Sequence, residues 1–304
     1  MELLTGQTFF LEVLLEMKIR ELKEKIKDLQ PWDDEVSRQT TVLELILGDR
    51  KCKNDETVAE LGVSTDSKLS ALFWQNMAIC SHKDALSPDL DPEVPVLLKI
   101  PESETVIGAN AFSECERIAY VIIPSSVTEI QDEAFSACTA LVELTIPDSV
   151  RHIGNYVFGC CSSLRSITIP ESASYLGVGA FSGCTALSSV RIPGSVTRIE
   201  DIIFSGCTSL SSVTIPPSVT EIGVGAFVDC HSLSSVTIPD SVTSIGDTAF
   251  KDCRALSSVS VPDSVTHLGT GVFTYCSSLR SARTPESLRH MRDLIFSGCW
   301  ELGP

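Results

Sequence analysis

The sequence is poor in basic residues and has no long apolar run. Lys and Arg total 23 against 40 Asp and Glu, which gives a formal net charge of −17 at pH 7. This balance argues against binding to nucleic acid and to anionic lipid surfaces except through a local basic patch, because both require a positively charged protein surface. No apolar run reaches about 18 residues, so we expect no transmembrane helix and no membrane insertion.

The amino terminus also lacks the early positive charge of a secretory leader. Glu2, Glu12 and Glu16 lie where a signal peptide would carry Lys or Arg. Although the chain holds 12 cysteines, none forms a Cys-x-x-Cys pair, so we expect no zinc site. These absences together predict an intracellular, cytoplasmic protein with reduced cysteines, no bound metal and no cofactor.

What the sequence does contain is a repeat of 23 residues. Phenylalanine recurs at this interval from Phe112 to Phe296, and a cysteine follows three residues after each one. Proline keeps the same period from Pro101 to Pro285. A fixed period of this length predicts a solenoid with one repeat in each coil. A single coil buries too few side chains to offset the entropy of ordering its backbone, so the coils must stack.

Each repeat predicts a strand followed by turns. Leu233–Ile238 alternates apolar and polar residues, which is typical of a short strand with one buried face. The next proline ends the strand because it has no N–H to donate. Gly246 suits a tight bend. Ala249–Cys253 predicts one helical turn that places its alanine and cysteine on one face, and the repeat cysteines are predicted to be buried and free.

The pattern Leu-x-x-Val-x-Ile-Pro-x-Ser-Val-x-x-Ile-Gly-x-x-Ala-Phe-x-x-Cys resembles the BspA-type leucine-rich repeats over residues 96–304. The resemblance implies a solenoid whose parallel β-sheet lines a concave, usually protein-binding face, and it implies no catalysis. The Gly-x-Gly pairs at 177–179 and 223–225 lack the lysine and the strand–loop–helix setting of a phosphate loop. His231 beside Cys230 occupies a variable repeat position. We therefore expect no enzyme.

Residues 1–74 do not repeat, and they predict strand, helix, strand, turn and strand in that order. They resemble a ubiquitin-like domain at Leu4-Thr5-Gly6-Gln7-Thr8, Leu11-Glu12-Val13, Lys25-Ile26-x-Asp28, Leu45-Ile46 and Leu69-x-Ala71-Leu72. The resemblance implies an α+β fold, here lacking most of its first strand, and a recognition patch of Leu4, Ile46 and Leu72. The alternative for that patch is ordinary strand packing. Residues 75–95, rich in proline and acid, predict a linker to the solenoid of residues 96–304.

The outward positions of the strands form the predicted binding surface. We define the strand face as the three residues between the buried ones in each of the eight strands from 119 to 283. Fifteen of these 24 positions are Ser or Thr. The others are Ala119, Tyr120, Ile122, Val142, Glu143, Arg165, Arg191, Arg280 and Arg283. All of these except Ala119 are candidate partner-binding residues, because aromatic and arginine side chains are the usual energetic centres of interfaces.

Within this face Tyr120 is the candidate anchor, since no other aromatic residue occurs there. Arg191 and Arg283 would steer an acidic segment of a partner and set its register. Two alternatives stay open at this point. In the first alternative the charges serve solvation alone, and in the second Tyr120 only covers the open end of the sheet.

The sequence thus predicts a non-catalytic adaptor or scaffold whose strand face holds one protein and whose N-terminal patch holds another. The alternative is a cell-surface or adhesion-type BspA-like protein, which a cleavable leader would favour. A third class, the binding of ice or carbohydrate by rows of Ser and Thr, is disfavoured because arginines interrupt those rows. The sequence names neither the partner nor the oligomeric state.

Overall fold

The computed structural model describes residues 2–3, 43–47, 50–51, 69–73, 78–80 and 95–302. The chain divides into two compact units, Met1–Met77 and Ala78–Pro304. In the first unit, Glu2–Leu3 (β1) is parallel to Leu69–Phe73 (β4), β4 is antiparallel to Leu43–Leu47 (β2), and β2 is antiparallel to Arg50–Lys51 (β3). The helix predicted at 18–30 lies outside the described residues.

The second unit is a β-solenoid of about eight coils with two rows of parallel strands. The first row is Ala78–Cys80 (β5), Val96–Lys99 (β6), Ile118–Ile122 (β8), Glu143–Thr145 (β10), Ser166–Thr168 (β12), Ser189–Arg191 (β14), Ser212–Thr214 (β16), Ser235–Thr237 (β18), Ser258–Ser260 (β20) and Ser281–Arg283 (β22). The second row is Val106–Ile107 (β7), Glu129–Ile130 (β9), His152–Ile153 (β11), Tyr175–Leu176 (β13), Arg198–Ile199 (β15), Glu221–Ile222 (β17), Ser244–Ile245 (β19) and His267–Leu268 (β21). In the last coil a 3-10 helix (Glu286–Met291) and a helical turn, α1 (Arg292–Ile295), replace the second strand.

Strand pairing confirms the 23-residue period. Val190 pairs with Val213 in the first row, and Ile222 pairs with Ile245 in the second. Equivalent repeat positions therefore lie directly above one another from coil to coil. The strand β5 falls inside the segment predicted as a linker at 75–95 and pairs in parallel with β6. The domain boundaries at 74 and 95 stay a prediction.

The Ala-Phe-x-x-Cys segment is not the helical turn that the sequence predicts. Thr248 and Asp252 have φ angles of 53° and 59°, whereas a right-handed helix requires negative values. The N–H of Phe250 donates to the carbonyl of Val272 at 2.9 Å, and the N–H of Asp252 donates to Thr274 at 2.8 Å. Because these N–H groups bond to the next coil, the segment forms a third inter-coil ladder instead of a helix.

The core contains a continuous stack of phenylalanine rings. Neighbouring ring centroids lie 5.1 to 5.8 Å apart along the solenoid, and the rings from Phe112 to Phe273 are fully buried. A thiol lies beside each ring: Cys207 Sγ, for example, donates to the carbonyl oxygen of Phe181 in the preceding coil at 3.2 Å. The same bond recurs in every coil from Cys138 to Cys299.

The cysteines in the part of the chain that the structure describes are all free. Nine of these ten thiols are buried, and Cys160 is exposed. The prediction of buried, free repeat cysteines is therefore confirmed for residues 95–302. The side chains of Cys52 and Cys80 lie outside the described part.

The serine of the Pro-x-Ser-Val motif bridges coils, a role that the sequence did not indicate. Ser195 Oγ donates to the carbonyl oxygen of Ala173 in the coil before it at 2.6 Å, and equivalent bonds recur from Ser126 to Ser264. The carbonyl of Pro193 accepts from the N–H of Val196 at 3.1 Å, which closes a turn at the end of the strand. Proline thus ends the strand as predicted, and serine ties the resulting turn to its neighbour.

Gly246 is required for a different reason from the tight bend that the sequence suggested. A Cβ at this position would lie 2.6 Å from the backbone nitrogen of Val224 and 2.7 Å from the carbonyl carbon of Gly223. The requirement is therefore close approach between coils. Gln131 and Glu200 occupy the same repeat position, so other coils of the solenoid accommodate a side chain there.

We expect Gly246→Ala to destabilise the solenoid by about 1–3 kcal/mol, because the added methyl group must displace backbone of the preceding coil. Gly108→Ala is the matched control: Gly108 occupies the same repeat position, and a Cβ there would meet no atom within 4 Å. Urea unfolding followed by circular dichroism measures both. Equal losses from the two substitutions would show that close approach is not the cause.

Candidate functional site

The middle of the strand face is exposed and lined by hydroxyl groups. Ser211 Oγ donates to the carbonyl of Ser188 at 3.2 Å, and Ser234 Oγ donates to Ser211 at 3.3 Å. Ser257 continues the row with a longer bond to Ser234 at 3.5 Å. The first hydroxyl of each strand here therefore reinforces the stacking of coils. These donors are already used, so the row presents mainly hydroxyl oxygens to solvent.

The N-terminal end of the strand face differs from its middle. Tyr120, Ile122, Val142 and Glu143 are each half-buried, whereas Arg165 is exposed; we call these five residues the end group. Tyr120 lies opposite Glu143 in the strand register. Burial and the Glu143 carboxylate raise the pKa of the Tyr120 hydroxyl, and Arg165 acts in the opposite direction. The structure thus brings an aromatic ring, two aliphatic side chains and two opposite charges into one neighbourhood.

The remaining arginines of the face are paired with acidic residues at its rim. Arg191 contacts Glu171 at 2.8 Å, and Arg283 contacts Asp263 at 2.9 Å. Both pairs join a strand to the turn after the proline of the preceding coil, so they have one geometry. Arg280 contacts Glu301 at 3.2 Å. Since each of these cations has an acidic neighbour, the field above the face is weaker than the number of arginines suggests.

The proposed ubiquitin-like patch cannot be assembled from the described residues. Leu4 lies outside them, and for Ile46 and Leu72 only the backbone of β2 and β4 is described. In that backbone Ile46 is paired with Ser70, and Leu72 with Glu44. The patch therefore stays a prediction.

One cluster was missed by the sequence analysis. The ligand atoms of Asp229, His231 and Asp252 lie within 4.8 Å of one another. The sequence pattern gives His231 only as a variable repeat position, and neither aspartate belongs to a motif of its own. The available signal was their spacing, because residues 229 and 252 are one period apart and must stack.

Among the described residues, no helix has the length and apolar character needed to cross a membrane.

The repeats themselves identify the family. A family model described as a BspA-type leucine-rich repeat region of six copies matches residues 97–211 and 199–303. The chain belongs to the BspA-type leucine-rich repeat family. The family match begins at residue 97 and so gives no support to the ubiquitin-like interpretation of residues 1–74.

Three solved structures illustrate what this BspA-type chain is similar to. A leucine-rich cell surface protein from Faecalibacterium prausnitzii is 22% identical, and the match covers 79% of this chain and 84% of the F. prausnitzii chain, with a TM-score of 0.38. The leucine-rich repeat protein of T. pallidum is 28% identical, and the match covers 76% of this chain and 89% of the T. pallidum chain, with a TM-score of 0.42. The pneumococcal vaccine antigen PcpA is 17% identical, and the match covers 74% of this chain and 71% of the PcpA chain, with a TM-score of 0.37. A search of curated proteins found no match.

These similarities contradict the prediction of an intracellular, cytoplasmic protein. One similar structure is described as a cell surface protein, and another as a vaccine antigen. The prediction rested on the acidic residues Glu2, Glu12 and Glu16, where a leader would carry positive charge, and the reduced state expected of the cysteines was in keeping with it. Buried thiols are shielded from oxidants in any compartment, so the nine that the solenoid buries do not report its location.

Proposed function

We propose that this BspA-type protein is a non-catalytic binding protein of the cell-surface, adhesion type, and that its strand face holds a protein partner. The observation that carries the proposal is the end group. It is the one part of the strand face where apolar and aromatic side chains are half-exposed beside charges. The family assignment supports a repeat protein without catalysis.

The end group has the composition of an interface centre. A half-buried Tyr120 has lost part of its conformational freedom already, so binding would cost little further ordering. Ile122 and Val142 supply apolar area beside it, and Glu143 and Arg165 supply opposite charges that discriminate among partners. The hydroxyl rows beyond would contribute complementarity instead of the main binding energy.

The ion pairs at the rim modify the role proposed for the arginines. Arg191 and Arg283 are 84% and 61% exposed, and exposed pairs of this kind contribute little to stability. A partner carboxylate would have to compete with Glu171 or Asp263. We therefore assign these arginines to the orientation of the partner, with the end group providing the affinity.

The proposal is tested on intact cells that produce the full chain. Antibodies raised against residues 95–302 should label these cells without permeabilisation, and beads coated with the chain should adhere to protein-coated surfaces. Protease treatment of the coated surface should abolish adhesion, since the proposed partner is a protein. Labelling that requires permeabilisation would contradict the surface location. Adhesion that survives protease would contradict a protein partner.

A further inference from the structure

Three side chains with metal-ligating atoms meet on two adjacent coils. Asp229 and His231 flank Cys230 in one coil, and Asp252 is the equivalent of Asp229 in the next. Their ligand atoms lie within 4.8 Å of one another. His231 Nε2 lies 3.9 Å from Asp229 Oδ1. That separation is too long for a hydrogen bond. It fits two ligands of one ion, because two bonds of about 2.0–2.2 Å span up to about 4.3 Å.

The backbone holds these three residues in fixed positions. Asp229 and Asp252 have φ angles of 60° and 59°, a left-handed conformation that is uncommon for residues other than glycine. The N–H of Asp229 donates to the carbonyl of Lys251 at 2.9 Å in the next coil. The N–H of Asp252 donates likewise to Thr274 at 2.8 Å, and the N–H of His231 donates to Asp229 at 2.9 Å. Inter-coil backbone bonds therefore fix the positions of the two aspartates, and a bond within the coil fixes the position of His231.

The repeat carries an aspartate at the same position in two successive coils where these side chains meet. Glycine holds the equivalent position in the two preceding coils, at Gly183 and Gly206, and again at Gly298. Two aspartates stacked one coil apart repel each other unless a cation lies between or beside them. Arg254 offsets part of this charge through its Nε contact to Asp252 Oδ1 at 3.0 Å. The second oxygen of Asp252 is left for another cation.

We propose that Asp229, His231 and Asp252 form a binding site for one divalent transition-metal ion of the zinc class. An imidazole together with carboxylates suits zinc, nickel or iron, whereas magnesium and calcium take oxygen ligands. Three protein ligands leave further coordination positions for water, since Asp229 and His231 are partly open to solvent. The expectation from the sequence, that the protein binds no metal, rested on the lack of Cys-x-x-Cys pairs and did not consider side chains brought together by stacking.

Titration calorimetry of the full chain with Zn²⁺ tests this site. All proteins carry Cys160→Ser, so that the thiol exposed among residues 95–302 cannot bind the ion. We expect saturable binding of one Zn²⁺ per chain, weakened on the order of tenfold or more by His231→Gln and by Asp252→Asn, because each removes a ligand. His267→Gln, which removes an exposed imidazole outside the cluster, should leave the affinity unchanged.

Two further measurements decide what a positive result means. The absorption spectrum of the Co²⁺-loaded chain should lack the charge-transfer bands of thiolate ligation, and each variant should melt like the parent in the absence of metal. Absence of saturable Zn²⁺ binding, binding that survives both ligand substitutions, a thiolate spectrum, or equal affinity for Mg²⁺ would each overturn the proposal. The test does not depend on the adhesion proposal, which makes no use of this cluster.

Discussion

Phe181→Ala is expected to lower the free energy of unfolding by about 3–5 kcal/mol. The ring of Phe181 is fully buried. It stacks on Phe158 at 5.6 Å and on Phe204 at 5.4 Å, measured between ring centroids. Truncation would remove both contacts and leave a cavity between coils that the inter-coil backbone bonds prevent from collapsing. Urea unfolding followed by circular dichroism measures the loss.

Two controls separate the stack from general apolar burial. Phe181→Leu keeps most of the volume and loses only the ring contacts, so its cost should be about 1–2 kcal/mol. Val224→Ala removes an apolar side chain that is 44% exposed and should cost at most about 0.5 kcal/mol. A loss below about 1 kcal/mol for Phe181→Ala would show that the phenylalanine column does not hold the coils together.

The thiol of Cys207 should be alkylated at pH 8 at least about a thousandfold more slowly than an ordinary cysteine. Burial raises the pKa of Cys207 from an ordinary value of 9.0 to about 12, and this rise lowers the thiolate fraction about a thousandfold. The thiol also donates to the carbonyl of Phe181, a bond that the thiolate cannot make. Timed iodoacetamide labelling with peptide mass spectrometry gives the rate at each cysteine.

Cys160 provides the internal control for this prediction because it is exposed in the same chain. It should react within the first time points, while Cys207 reacts only after the denaturant unfolds the coils. Under denaturing conditions the two rates should become similar. Native rates for Cys160 and Cys207 within about tenfold of each other would mean that the coils open frequently, or that the column of thiols is not closed to solvent.

The sequence predicted the features that depend on the period. The stacked strands, the phenylalanine core and the buried thiols all follow from three residue types in phase, since equivalent positions in a solenoid must coincide in space. Gly246 was identified for a bend, but the structure shows contact between coils as the cause. The single-coil pattern could not show that contact, because the clashing backbone belongs to the neighbouring repeat.

The errors share a physical origin. Ala249–Cys253 has helical spacing, but the N–H groups of Phe250 and Asp252 find acceptors in the next coil, and such tertiary bonds override local propensity. Arg191 is predicted to steer an acidic segment of a partner, and its contact at 2.8 Å with Glu171, twenty residues earlier, did not follow from the sequence. The metal cluster was missed for the same reason. Each of these contacts joins different coils, so it is visible only after the repeats are superimposed at their true register.

The end group was partly predictable. Tyr120 and Ile122 stood out because they replace Ser or Thr at strand-face positions. That both side chains are half-buried, and that Tyr120 lies opposite Glu143, could be seen only in the structure. Residues 1–74 were the least predictable part of the chain, because no repeat constrains their interpretation and the family match does not include them.

The most direct test of the binding role is the effect of Tyr120→Ala on adhesion, compared with Tyr156→Ala. Tyr156 is an exposed tyrosine outside the strand face, so it controls for the loss of an aromatic ring. We predict that Tyr120→Ala weakens attachment of the full chain to its protein-coated surface by more than about 1 kcal/mol, roughly fivefold in affinity, with an unchanged melt. Tyr156→Ala should leave attachment unaltered. If Tyr120→Ala instead lowers stability and spares attachment, Tyr120 covers the end of the sheet and the partner binds elsewhere.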